Sequence, residues 1–467
     1  CRSLDEQGVT MNRFLSNMVM LAATLLVSTA HAANVVYPDG ERQQAPDAIF
    51  LDRAGDLYPP FGVPVDTAAM LTLDPDVGAV APLEVVTLRG MYRSQANTGK
   101  PGWKKLLAHA QVESSSDFDR DWEAVQDALR RTVVKQLNAQ KGADVLLVVH
   151  GFNNDFRGAN KWLVPFEKAV LEAYPQVRST RVYWDGLLGN DAGIGIWGEA
   201  QYNGPRVGQQ LRRVLNQLDA DLRLRIFTHS SGAYVVTNAL GDGSHSYRGF
   251  EGSVQLKERA GALDGAYAVP RNITDLRVAM LIPAQPLSAF DGFAQGTKGV
   301  VPTRLILGTS PRDKAATKLG VSCAIGGNTC MAVRTAEAFQ WSRKALAPQA
   351  GQLMVIGFPA PATGHHEHGV EWYMEDREQW QALLGQFTMY GGGGVDHHGI
   401  RAAREQRIHL GKALGDPVLA GQLVQHLGIA GAEQRGDSLV AGKQRQIGLL
   451  GDITEANQGN AHGNSLS

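Results

Sequence analysis

The sequence has no excess of charge of either sign. Its 45 basic and 46 acidic residues leave a formal net charge of -1. Proteins that bind nucleic acid or anionic membranes through a broad surface usually carry a basic patch or a clear excess of Lys and Arg. We therefore expect no nucleic-acid partner. With 43% hydrophobic residues over 467 positions, the chain has ample apolar material for a globular core.

A hydrophobic run long enough to span a membrane is also missing. Residues 18–27 are apolar, but this is only about half the length that a membrane-spanning helix needs. The run follows a basic start at residues 11–14 and precedes an Ala-x-Ala site, which is the pattern of a secretory signal peptide. We predict a signal peptide over residues 11–32, cleavage after Ala32, and a periplasmic or extracellular protein with no stable membrane span. A retained anchor is the alternative, and residues 1–10 are interpreted as upstream, non-native sequence.

Cysteine is scarce, with only three in the chain. Once Cys1 is assigned to the upstream residues, Cys323 and Cys330 remain. An oxidising compartment permits a disulfide between them, which would close one small loop. A pair of free thiols or half of a metal site is the alternative, although no second pair exists to complete a four-thiolate zinc site.

Hydrophobic periodicity divides the rest of the chain. Residues 33–115 carry scattered Pro and Gly with short β-prone runs, which predicts a β-rich N-terminal extension, either as opening antiparallel strands or as a separate lead-in. Apolar residues spaced three or four apart predict a helix over 119–140. From 116 to 390, buried strand patterns alternate with helical ones. This alternation predicts an α/β domain with a mostly parallel central sheet and helices on both faces.

The expected strands of this domain lie at 145–149, 180–184, 222–227, 276–282, 303–307 and 353–356. Residues 241–275 form a long insertion rich in Gly, Ser and charge, which is either a lid over a binding site or a surface excursion. Residues 391–467 are rich in Gln, Gly, Ala and Arg and are expected to be a disordered or appended tail without an assigned role.

The pattern with the most chemical content is THSSG at residues 228–232. An expected strand ends at Phe227, Ser230 lies at the bend, and a helix begins at Gly232. A serine hydroxyl is a weak nucleophile, so acyl transfer needs it on a sharp turn beside a base, an orienting acid and N–H donors. The strand–turn–helix context is that of a nucleophile elbow, with Thr228 where glycine is usual. We therefore predict Ser230 as a nucleophile.

A second motif, HGFN at residues 150–153, ends an earlier expected strand. The backbone N–H of Phe152 and that of Ser231, at the start of the next helix, are placed to donate to one oxygen. This predicts an oxyanion hole made by Phe152 and Ser231. The alternative is a tight turn that uses glycine only for its backbone freedom.

Together with VYWD at residues 182–185, these motifs resemble the α/β-hydrolase superfamily, specifically bacterial serine hydrolases with a His-Gly-Phe-Asn oxyanion turn. The resemblance covers about residues 120–390 and implies the α/β-hydrolase fold, with nucleophile, acid and histidine in that order along the chain. The loop GTSPRDKA at 308–315 is similar to the acid-bearing loop of this group, which implies Asp313 as the orienting carboxylate. The expected strand at 276–282 is followed by no nearby acid.

Histidines cluster in GHHEHGVEWY at residues 364–373, after the last expected strand. Imidazole titrates near neutral pH and can take and return a proton, so the general base is expected here. His368 is the first candidate and His366 the second, with His365 left open. Three histidines and a glutamate also suggest a metal cluster, but adjacent loop residues seldom converge on one ion and no helical His-Glu-x-x-His spacing occurs. We expect neither a metal nor another cofactor.

The sequence therefore predicts an exported serine hydrolase that cleaves a carboxylic ester, or a related acyl bond, in a small-molecule or lipid-like substrate. Acyl transfer or peptide cleavage with the same residues is one alternative. A catalytically silent secreted binding protein on the same scaffold is the other. Substrate identity and oligomeric state are left open.

Overall fold

The computed structural model describes residues 33–71, 86–140, 142–189, 197–219, 221–241, 273, 275–291, 303–317, 329–346, 352–359 and 368–388. The chain divides into two compact units, Cys1–Tyr390 and Gly391–Ser467, and every described residue belongs to the first. The predicted signal peptide, the predicted tail and nearly all of the predicted insertion at 241–275 lie outside the described residues.

Seven described strands form one sheet in which every strand pairing is parallel. In chain order they are β1 (Ile49–Leu51), β2 (Asp144–Val149), β3 (Val177–Trp184), β4 (Arg223–His229), β5 (Asp275–Leu281), β6 (Arg304–Thr309) and β7 (Gln352–Gly357). Across the sheet the order is β1-β3-β2-β4-β5-β6-β7. An α/β chain with a parallel sheet is thus confirmed.

Helices fill the connections between these strands. They are α1 (Asp39–Arg42), α2 (Thr67–Leu71), α3 (Leu88–Thr98), α4 (Pro101–Ala110), α5 (Phe118–Asn138), α6 (Phe156–Ala173), α7 (Trp197–Leu215), α8 (Gly232–Leu240), α9 (Cys330–Val333), α10 (Thr335–Leu346), α11 (Val370–Glu375) and α12 (Arg377–Thr388). A short 3-10 turn, Leu287–Phe290, follows β5. None of the helices in the described ranges combines the length and the apolar character needed to cross a bilayer.

The segment before α5 differs from its prediction. A β-rich extension was expected over residues 33–115, but its described part contains the helices α1 to α4 and a single strand, β1, which joins the main sheet in parallel with β3. In α3 the buried side chains of Leu88, Met91 and Tyr92 recur at helical spacing. Thr87 caps the start of this helix with its side chain. Local capping and helical periodicity therefore account for the helix that begins at Leu88.

The order of the connections reverses at the centre of the sheet. From β2 the chain passes through α6 to β3 on one side, whereas from β4 it passes through α8 to β5 on the other. The strands β2 and β4 pair directly, with Val149 opposite Thr228. In parallel sheets, ligands bind in the crevice that opens at the carboxyl ends of strands whose connections diverge in this way. Both HGFN and THSSG begin at this crevice.

Gly232 lets the start of α8 approach the end of β2. A Cβ at this position would collide with Thr228 Oγ1 and would lie 2.6 Å from the His150 backbone oxygen. Because backbone atoms cannot move aside cheaply, we expect Gly232→Ala to lower the free energy of unfolding by about 1–3 kcal/mol. Gly385→Ala is the matched control, since a Cβ there meets nothing within 4 Å, and it should be neutral or stabilising. Urea denaturation measures both, and equal effects would contradict the packing described.

Candidate active site

Ser230 lies in a strained turn between β4 and α8. Its φ of 55° is in the left-handed region, which residues other than glycine rarely adopt. The end of β5 and the loop after it hold this turn. The Ser230 N–H donates to the oxygen of Leu281, the last residue of β5, at 3.0 Å, and the Ser230 oxygen accepts from the Ala284 N–H in the loop at 3.1 Å. Strain that the surrounding structure maintains is typical of functional sites.

Ser230, His368 and Asp313 meet from three separate loops, which follow β4, β7 and β6. His368 Nε2 lies 2.8 Å from Ser230 Oγ. His368 Nδ1 lies 3.0 Å from each carboxylate oxygen of Asp313. An ionised carboxylate can only accept, so the proton of the neutral imidazole is assigned to Nδ1, and Nε2 is left to accept from the Ser230 hydroxyl. This is the tautomer that a general base acting on serine requires.

Asp313 is fully buried, yet its pKa is lower than that of an ordinary aspartate. Burial on its own would raise the pKa of Asp313, but the charge of His368 and hydrogen bonds to its carboxylate lower that pKa to about 2. Besides His368, the donors are the Tyr373 hydroxyl at 2.5 Å and the Ala316 N–H at 2.6 Å. The carboxylate is therefore ionised and fixed in direction at neutral pH.

Two contributors to this arrangement were missed in the sequence. Tyr373 lies in α11, and burial together with the charge of Asp313 raises its pKa, so its hydroxyl stays a donor. A signal for it existed, because Val370 and Tyr373 are one helical turn apart and both are buried behind the predicted base. His229 is the other. Nothing in the sequence around His229 indicates that its ring packs on His368.

His229 packs directly on His368. The ring centroids of His229 and His368 are 4.6 Å apart. The ring centroids of His229 and Trp162 are 5.7 Å apart. Burial, followed by the nearby charge of His368, lowers the pKa of His229 well below its ordinary value of 6.5. A neutral, buried ring therefore restricts the orientation of the His368 imidazole.

The predicted oxyanion donors lie beside Ser230, but one of them has an unexpected partner. The Phe152 N–H donates to the Ser231 side-chain oxygen at 2.7 Å instead of facing an open position. The absence of a side chain at Gly151 lets the HGFN turn lie close to Ser230, because a Cβ on Gly151 would be 3.0 Å from the Ser230 Cβ. The oxyanion role of the Phe152 and Ser231 N–H groups stays a prediction.

His150, the first residue of the HGFN motif, is a buried link between β2 and β3. Its Nε2 accepts from the Trp184 backbone N–H at 3.1 Å, so the proton is assigned to Nδ1, which donates to the Gly151 oxygen at 2.6 Å. Trp184 Nε1 donates in turn to the His150 backbone oxygen at 2.7 Å. Burial lowers the pKa of His150 to about 4. The ring is thus neutral and holds the Gly151 carbonyl in place.

This linkage predicts a dependence of stability on pH. The pKa of His150 is about 4 in the folded protein against 6.5 ordinarily, so the unfolded state binds more protons between these values. Its contribution to stability is complete above pH 6.5 and is lost as the pH falls towards 4, by about 3 kcal/mol in all. We expect the difference in unfolding free energy between wild type and His150→Asn to shrink over this range in urea titrations. A difference that does not change with pH would contradict it, and His109→Asn, at an exposed histidine, serves as the control.

Some predicted residues cannot be placed. His365, His366 and Cys323 lie outside the described residues. The positions of the two alternative bases, His365 and His366, relative to Ser230 are therefore not described. Cys330 is disulfide-bonded and is buried at the start of α9. Within the described ranges, no group of three or more His, Cys, Asp or Glu side chains is placed to hold a metal ion.

Comparisons with family models, curated proteins and solved structures find no match to this chain. Its function must therefore be inferred from the geometry of its own residues. The most informative of these are Ser230, His368 and Asp313, together with the HGFN turn.

Proposed function

We propose that this protein is a serine hydrolase of the α/β-hydrolase type that cleaves a carboxylic ester or a related acyl bond. The observation that carries the proposal is the continuous hydrogen-bonded chain from Ser230 Oγ through His368 to Asp313. Its place supports the same conclusion, because the serine lies on a strained turn at the switch point of a parallel sheet. The order of the three residues along the chain is also that of the superfamily that the sequence resembles.

The geometry accounts for each step of such a reaction. His368 Nε2 takes the proton of Ser230 as Oγ attacks the acyl carbon, and the electrons of the carbonyl bond move to its oxygen. The imidazolium that forms is stabilised by ionised Asp313. His368 then gives its proton to the leaving alkoxide, and the carbonyl re-forms as an acyl-enzyme on Ser230. Water, deprotonated by the same histidine, attacks the acyl carbon. The bond from this carbon to Ser230 Oγ then breaks, His368 returns the proton to Oγ, and the acid is released.

No cofactor has a role in this scheme. The nucleophile, the base and its orienting acid are all side chains of this chain, and the backbone N–H of Ser231, next to the nucleophile, can stabilise negative charge on the substrate oxygen. We further propose export of the protein and a small-molecule or lipid-like ester as substrate. Export is supported by the signal-peptide pattern of residues 11–32.

A fluorophosphonate probe tests the proposal, because it reacts covalently and selectively with an activated serine. We expect labelling of the wild-type protein and none of Ser230→Ala. Ser114→Ala, which removes an exposed hydroxyl between α4 and α5, should be labelled like wild type. An unlabelled wild-type protein would refute the hydrolase, and labelling that survives in Ser230→Ala would place the nucleophile elsewhere.

A further inference from the structure

We propose that the side-chain hydroxyl of Ser231 is itself a catalytic donor to the oxyanion. This inference rests on the proposed function and adds a residue to its machinery. The hydroxyl belongs to the residue directly after the nucleophile, is buried, and lies 2.7 Å from the Phe152 N–H. The Phe152 N–H thus acts on the substrate oxygen through the Ser231 hydroxyl and not directly.

The direction of the Phe152 N–H is fixed by a buried network. His150 Nδ1 donates to the Gly151 carbonyl at 2.6 Å, and this carbonyl belongs to the same peptide unit as the Phe152 N–H. In a trans peptide the two groups point in opposite directions. Holding the carbonyl on His150 therefore aims the N–H at Ser231 Oγ. Because His150 is also tied to Trp184 through its other ring nitrogen, the donor cannot easily turn towards substrate.

The Ser231 hydroxyl is left with a proton to donate. A hydroxyl has one donor and can also accept, and here it accepts from Phe152. In the described part of the chain, the hydrogen bonds found for Ser231 Oγ include no acceptor for its own proton. Donation by the amide N–H polarises the hydroxyl and strengthens the bond that it can form next. A buried donor held ready in this way is what stabilises charge that develops in a transition state.

The position of the hydroxyl fits this role. The turn that carries Phe152 touches the nucleophile, since a Cβ on Gly151 would lie 3.5 Å from Ser230 Oγ. The Ser231 hydroxyl is hydrogen-bonded to the residue that follows Gly151 in this turn. Ser231 is also the N-cap residue of α8 but forms no side-chain cap hydrogen bond, so helix capping does not account for its hydroxyl.

The competing explanation makes the opposite prediction. If the hydroxyl only fills the position of the oxyanion and occupies the Phe152 N–H, it is an inhibitor of the resting enzyme. Removing it would then free a backbone donor and leave kcat unchanged or raise it. If it is a donor, removing it lowers kcat and has little effect on KM, since the interaction belongs to the transition state.

The test compares Ser231→Ala with Ser231→Thr, which keeps a hydroxyl, in steady-state hydrolysis of a short-chain aryl ester. We expect Ser231→Ala to lower kcat by about 10²-fold with KM nearly unchanged, and Ser231→Thr to retain most of the activity. The rate of fluorophosphonate labelling should fall in parallel in Ser231→Ala but still reach one label per chain, which shows that the variant is folded. An unchanged or higher kcat in Ser231→Ala overturns the inference, as does an equal loss in Ser231→Thr.

Failure of the proposed function gives a different result. In that case wild type is not labelled and does not turn over the ester, or Ser230→Ala retains the activity of wild type. If wild type is active, Ser230→Ala is inactive and Ser231→Ala is as active as wild type, the hydrolase stands and only the role of the Ser231 hydroxyl is refuted.

Discussion

Ser230→Ala and His368→Ala should each lower kcat for an ester substrate by about 10⁶-fold, and the double variant should be no less active than either one. The effects are not additive because the two side chains act as one unit. Without His368 the 2.8 Å contact to Ser230 Oγ is lost and the hydroxyl keeps its proton. Without Ser230 the base has no nucleophile to activate.

The comparison needs a control for loss of fold. His109→Ala removes an exposed histidine of α4 and should have the kcat of wild type. His368→Ala leaves Asp313 with the hydrogen bonds from Tyr373 and Ala316, so we expect it to unfold cooperatively in urea. Steady-state kinetics at one pH is sufficient. A His368→Ala variant that retains even a hundredth of the activity would show that another residue is the base.

Asp313→Asn has the second largest expected effect, a decrease in kcat of about 10⁴-fold. The carboxylate fixes the proton on His368 Nδ1 and stabilises the imidazolium that forms during the reaction. An amide is neutral and can donate as well as accept, so it permits the tautomer with the proton on Nε2, which cannot accept from Ser230. Asp219→Asn, at an exposed aspartate, is the matched control for the chemical change.

Tyr373→Phe separates orientation of the acid from its charge. It removes only the hydroxyl that donates to Asp313 Oδ2, so kcat should fall far less than in Asp313→Asn. Because this hydrogen bond helps to lower the pKa of Asp313, acidification should abolish the activity of the variant at a higher pH than that of wild type.

The Asp313→Asn variant has its own contradicting outcome. If it keeps more than a tenth of wild-type kcat, the acid has been assigned to the wrong residue.

The central sheet could be predicted because its strands are buried on both faces. In β2, for example, all six residues are buried, and the continuous apolar run in the sequence reflects this directly. The N-terminal segment could not, because β1 has only three residues and its identity as a strand depends on its pairing with β3. The one signal for α3 in the sequence is the helical spacing of Leu88 and Met91.

The site shows a similar division. Ser230 could be predicted from local context, since a strand, a bend and a helix occupy consecutive residues. Asp313 and His368 are 55 residues apart, and their choice depended on a family resemblance and on where strands end. The contacts of Tyr373 and His229 depend on packing between distant elements. The hydrogen bond from Phe152 to Ser231 depends on the direction of one peptide, which no sequence pattern specifies.

An acyl-enzyme trapped on Ser230 would test the central claim most directly. Wild-type protein is mixed with a p-nitrophenyl ester, quenched in acid within the first turnover, digested and analysed by tandem mass spectrometry. We predict a mass increase equal to one acyl group, located on Ser230 and absent from His368→Ala. Release of p-nitrophenol by wild type with the acyl group on another residue, or with none on the chain, would contradict the account.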